Sequence, residues 1–89
     1  MVPLLLNSKH QETLVQIFGN PVPRNLEWRK VELLLLAVGC QVVEGHGSRV
    51  RFERDGKVAT FHRPHPAKEA KPYHVRDVRA YLEFLEIKS

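Results

Sequence analysis

The chain has 89 residues, 43% of them hydrophobic, and a formal net charge of +4 with five further histidines. That suffices for one domain with a single two-layer core, residues 1–89, and excludes a deep cavity for a large cofactor. The lone cysteine, Cys40, excludes an intramolecular disulfide, so a reducing cytoplasm is the expected compartment.

Met1-Val2-Pro3-Leu4-Leu5-Leu6 lacks a basic leader, and Asn7 and Ser8 interrupt its apolar run. It is too short for secretion or for spanning a bilayer, as is Leu33–Leu36, and a soluble protein with no membrane association is expected. Ser8 is suited to cap a first helix over about residues 9–18, with Leu14, Ile17 and Phe18 on one stripe. Gly19 stops it, and Asn20-Pro21-Val22-Pro23 makes a stiff extended connector. Asn25 can cap a second helix that runs to about Val38 and ends at Gly39. Leu26, Val31, Leu34, Leu35 and Val38 face the core in this reading, and Trp28 and Leu33 widen the apolar surface toward the first helix.

Three strands follow. Gln41–Glu44 is short, and Gly45-His46-Gly47-Ser48 turns the chain. In Arg49–Arg54, alternation puts Val50 and Phe52 on one face and Arg49 and Arg51 on the other. Asp55-Gly56 signals a tight hairpin. Lys57–Arg63 returns with Ala59 and Phe61 inward and Val58, Thr60 and His62 outward, until Pro64 and Pro66 end the sheet. The last helix opens near Pro72, with Val75, Val78, Leu82 and Leu85 as its buried stripe. The order α-α-β-β-β-α describes an α+β domain, a three-stranded antiparallel sheet packed on helices.

Charge is uneven. From Arg49 to Arg79 nine Lys/Arg stand against four Asp/Glu, a balance of +5, whereas the remaining residues sum to −1. A local excess of this kind is the electrostatic footprint of a nucleic-acid binder. Lys68, Lys71, Arg76 and Arg79 approach or enter the N-terminal half of the last helix, where free backbone N–H groups favour phosphate, and Tyr73 could stack on a base. His62-x-x-His65 with Cys40 or His46 is a poor zinc set, since no Cys-x-x-Cys is present and the flanking prolines stiffen the pair. Ser48 has no evident triad and no glycine-rich phosphate loop is present, so neither a metal nor another cofactor is expected.

Gly39, Gly47-Ser48, Phe52, His65, Lys68-Glu69 and Lys71-Pro72 follow one another in an order and spacing that resembles the HicA family, the small toxins of HicA–HicB pairs. The resemblance covers about residues 26–85, leaving residues 1–25 as an N-terminal helical extension on a 26–87 core. It implies a double-stranded-RNA-binding-domain-like fold, mRNA interferase activity, and a HicB-like antitoxin in a hetero-oligomeric complex. In that family the catalytic imidazole follows Gly-Ser, where this chain has Arg49. A guanidinium stays protonated, so Arg49 can clamp a phosphate but cannot act as a base.

Metal-free RNA cleavage needs a base for the 2′-hydroxyl, donors for the crowded phosphorane and an acid for the leaving oxygen. His46, three residues before Arg49 at the tip of the same turn, and His62, on the face expected to carry Arg49 and Arg51, are the candidates for proton transfer. Arg49, Arg51, His65, Lys68, Lys71 and Arg76 are the candidate RNA-binding residues, with His65 also suited to antitoxin contact. His10 and His74 have no strong claim. The alternatives are a non-catalytic RNA- or DNA-binding module on the same scaffold, which the Arg49 exchange favours, and an interaction element for an acidic protein.

Overall fold

The computed structural model describes residues 6–88; the reading of the first apolar run falls almost wholly outside them. The elements are α1 (Ser8–Ile17), α2 (Trp28–Ala37), β1 (Gln41–Glu44), β2 (Arg49–Arg54), β3 (Lys57–His62) and α3 (Pro72–Phe84). The strands form one antiparallel sheet in the order β1-β2-β3, so the expected α+β order holds. No helix among the described residues is long and apolar enough to cross a membrane.

The core lies between one face of the sheet and the helices. Val50 and Phe52 are fully buried, and Phe61 nearly so. Against them pack Val31, Leu34 and Leu35 of α2 and Val75, Val78 and Leu82 of α3. Each such side chain contributes about 1.5–3 kcal/mol relative to exposure. Leu14 and Ile17 bring α1 into the same cluster. Arg79 fixes its end by donating to the carbonyls of Ile17 (2.9 Å) and Gly19 (2.7 Å).

Four local expectations are corrected. The α1 cap is Asn7, not Ser8: its side chain accepts from the His10 N–H at 2.8 Å. The second helix starts at Trp28 rather than after Asn25. Leu26 and Glu27 instead pair with the segment before α3, through Ala70 N–H to Leu26 C=O (2.7 Å) and Trp28 N–H to Lys68 C=O (2.9 Å). Those bonds satisfy backbone groups that a helix would otherwise have used, and they are invisible to local sequence rules. Trp28 turns to the sheet and α3, with its ring edge-on to Phe61 at 5.7 Å and tilted against His74 at 5.5 Å. Leu33 remains exposed. Finally, β3 closes one residue early, at His62.

Two helix ends show how the chain is turned into place. Gly39 (φ 98°) follows α2, with Cys40 N–H reaching Leu35 C=O and Gly39 N–H reaching Leu36 C=O, both at 3.0 Å. This reversal aims the chain directly into β1. The same bond pattern ends α3, through Glu86 N–H to Glu83 C=O (2.9 Å) and Ile87 N–H to Leu82 C=O (2.8 Å), but Glu86 holds φ 64° with a side chain. Glu86→Gly should therefore stabilise the fold, by up to about 1 kcal/mol, since left-handed backbone costs other residues about that much. Thermal unfolding checks it; an unchanged or lower midpoint counts against this account of the α3 end.

Candidate nucleic-acid interface

The helices cover one face of the sheet and leave the other free. Because Val50 and Phe52 point inward, Arg49 and Arg51 point out, and both are exposed. Register then sets their neighbours: Arg49 lies opposite His62, and Arg51 lies between Val43 on β1 and Thr60 on β3. Arg63 N–H donates to Ser48 C=O at 2.8 Å, which makes Ser48/Arg63 a hydrogen-bonded pair and Arg49/His62 the adjacent non-hydrogen-bonded one. Side chains in such pairs stand closest, on Cα atoms about 4.5 Å apart. A fixed cation and a titratable ring thus share one exposed position.

His46 belongs to the neighbouring turn. Arg49 N–H donates to its carbonyl at 3.1 Å, and Gly45 N–H donates to the Arg49 carbonyl at 2.9 Å. A side chain at Gly45 would meet the Arg49 Cβ and carbonyl oxygen at 3.2 Å, so glycine lets the turn close on Arg49. The register therefore puts Arg49, Arg51 and His62 on one face of the β2–β3 hairpin, and His46 lies in the turn that leads into β2.

The other predicted contacts lie elsewhere. His65 is exposed in the loop after β3, Lys71 is the residue before α3, and Arg76 is exposed on α3. Lys68 lies on the helical side, lining a groove of about 620 Å³ with Pro64, Ala67, Arg29, Leu33 and Leu36. Nor is the cationic excess one pool. Arg79 is spent on the end of α1. Arg63 is clamped between two carboxylates: Nε and Nη2 donate to Glu32 at 2.6 and 3.1 Å, and Nη1 and Nη2 donate to Glu44 at 2.7 and 3.0 Å. These bonds push the Arg63 pKa up and hold the Glu44 carboxyl below its ordinary range. Arg51 also has a longer contact with Glu53, at 3.3 Å.

Two residues that sequence reasoning passed over frame this surface. Arg63 ties β3 to α2 and β1; period-2 alternation already put it on the core side with Phe61, where a charge requires a counter-charge. His74, four residues before Val78 on the buried stripe, is 3% exposed. Its Nε2–H donates to the His62 carbonyl at 2.9 Å, and its Nδ1 accepts from Lys71 N–H at 3.0 Å. Burial is the main cause holding its pKa below the ordinary imidazole value of 6.5. Cys40 lies beside the Tyr81 hydroxyl; burial outweighs that contact and pushes the thiol pKa up, which makes it a poor nucleophile. No group of three or more metal-ligating side chains is found among the described residues.

A three-stranded antiparallel sheet, helices on one face and in the order α-α-β-β-β-α, defines a small α+β domain of the double-stranded-RNA-binding-domain-like class. Residues 28–84 match the family model described as HicA toxin of bacterial toxin-antitoxin, and the chain belongs to that family of toxins. The match leaves α1 and the proline connector outside it. No curated protein and no solved structure matches the chain.

Proposed function

We propose that the chain is a cytoplasmic endoribonuclease toxin that cuts mRNA, so blocking translation and growth, and that a HicB-like antitoxin neutralises it in a hetero-oligomeric complex. The observation that carries this reading is the Arg49–His62 cross-strand pair on the uncovered sheet face. Cleavage without a metal moves a proton off the ribose 2′-hydroxyl while the phosphate gains charge. His62 takes that proton. The Arg49 guanidinium, fixed on the next strand, donates to the non-bridging oxygens as the phosphorane forms. His46, from the turn before β2, returns a proton to the leaving 5′-oxygen. Arg51 holds the adjoining phosphate, and His65, Lys68, Lys71 and Arg76 supply peripheral contacts to a longer strand. The 26–87 segment is the catalytic core and residues 1–25 its extension.

The test is cleavage of a single-stranded RNA oligonucleotide by purified protein with a chelator present. Wild type should cut, and Arg49→Ala should cut about 10²–10³-fold more slowly, the usual cost of losing one transition-state donor. The second reading, a non-catalytic RNA-binding module, draws on Arg49 standing where the family carries its catalytic imidazole. Folded protein that shifts duplex RNA in a salt-dependent way, yet leaves single strands intact, would establish it in place of the first.

A further inference from the structure

The His62-Arg63 dipeptide is held at the Arg63 N–H, the Arg63 guanidinium and the His62 carbonyl, while the His62 side chain is exposed. The Arg63 N–H is bonded to Ser48 and its guanidinium is clamped by Glu32 and Glu44. The carbonyl of His62 is held by His74, at 2.9 Å.

That last bond has an unusual owner, a buried imidazole in the first turn of α3. With the Lys71 N–H donating to Nδ1 and the His62 carbonyl facing Nε2, the partners fix the ring as neutral with its proton on Nε2. Tyr73 stacks on one side at 4.1 Å and the Trp28 indole tilts against it at 5.5 Å, so the ring has little freedom to turn. The charged or titratable groups acting on it are Asp77 and Lys71 from α3 and its approach and His62 from β3; α2 presents the uncharged Trp28.

We propose that His74 is a positioning residue for His62: by holding the His62 carbonyl it fixes the strand end from which the His62 ring meets Arg49 and the RNA. The inference rests on the reading that His62 carries the proton. It adds a dependence on acid that is separate from His62 itself. A proton taken up at Nδ1 of His74 would point an N–H at the Lys71 N–H; that bond is lost, the ring tilts, and the His62 carbonyl is released. Since burial lowers the His74 pKa, its stabilising contribution is complete above about pH 6.5 and disappears as pH falls through the lower folded value.

The experiment compares wild type, His74→Leu and His74→Gln by RNA cleavage, and His62→Ala with and without His74→Gln by amide spectra of 15N-labelled protein across pH 4.5–8. Glutamine presents an acceptor and a donor on one carbon, as the neutral ring does, but cannot titrate. His74→Leu should lower kcat by roughly 10–100-fold with KM little changed, the scale on which a misplaced group costs rate. His74→Gln should restore most of it. With the His62 ring removed, the Arg63 amide, which shares a peptide with the residue-62 carbonyl, should shift with pH below 6.5 in His62→Ala and not in the double variant His62→Ala/His74→Gln. Equal losses of cleavage in both His74 variants, or an Arg63 amide response that survives in His62→Ala/His74→Gln, would overturn the proposal. Absence of RNA cleavage by wild type would instead sink the catalytic reading, while the amide titration would still decide whether His74 places the strand end.

Discussion

His62→Ala should cut RNA about 10²–10⁴-fold more slowly than wild type, the range for losing a positioned proton carrier, with the melting temperature changed by no more than about 4 °C. The two halves of that expectation have separate causes. The His62 ring is exposed, and everything that holds the strand end there belongs to backbone or to Arg63 and His74. Removing the ring therefore leaves the bonds of β3 in place. Surface changes of this kind usually lie within about ±0.5 kcal/mol. Chemistry suffers instead, because Arg49 opposite it stays protonated and can neither accept a proton nor release one. Single-turnover cleavage beside circular dichroism is the direct check. Binding should survive: Arg49 and Arg51 remain, so the affinity of His62→Ala for RNA and its salt slope should match wild type. Full cleavage by folded His62→Ala would remove His62 from the mechanism. His10→Ala is the matched control, since His10 lies on α1, outside the sheet register that pairs His62 with Arg49.

What the sequence revealed, and what it hid, follows from the range of the forces involved. Alternation in Arg49–Arg54 correctly divided the sheet faces, because a one-residue slip would have buried two arginines and exposed Phe52. The Asp55-Gly56 hairpin then set the register that puts His62 opposite Arg49. Both are local rules. The start of α2 was misplaced because the Leu26 carbonyl and the Trp28 N–H bond to residues about forty positions later. Charge counting overstated the reach of the basic interval. Arg63 and Arg79 are both in the basic interval, and each has its donors committed within the fold. Lys68 was expected to bind phosphate together with Arg49 and Arg51, whereas the loop carries it to the α2 side. His74 was passed over because periodicity reports only that a position is buried, not what a polar ring finds there.

Arg63→Ala should be the most damaging single loss of charge, destabilising the fold by about 1.5–3 kcal/mol through the Glu32 arm. For a domain of this size that lowers the melting temperature by roughly 4–8 °C per kcal/mol. Glu32 is the reason. Its side chain is only 20% exposed and takes two bonds from the guanidinium. The Trp28 indole N–H also donates to Glu32, but a neutral donor leaves the buried charge uncompensated. The exposed Glu44 arm adds orientation rather than much energy. Arg63→Lys should recover less than half the loss, since one ammonium cannot serve two carboxylates with the planar fork that spans them. Acid should report the same clamp. The Glu44 carboxyl lies below its ordinary value of 4.5, first through the Arg63 hydrogen bonds. Its contribution is present above that value and lost as pH falls through the lower folded one. The Arg63→Ala unfolding curve should therefore lose stability less steeply than wild type below about pH 4.5. The clamp reaches α2, β1 and the residue next to His62, so its loss should also slow cleavage at temperatures well below melting. Thermal unfolding of Arg63→Ala within 2 °C of wild type would show that Glu32 finds another partner and that the strand end is held without this guanidinium.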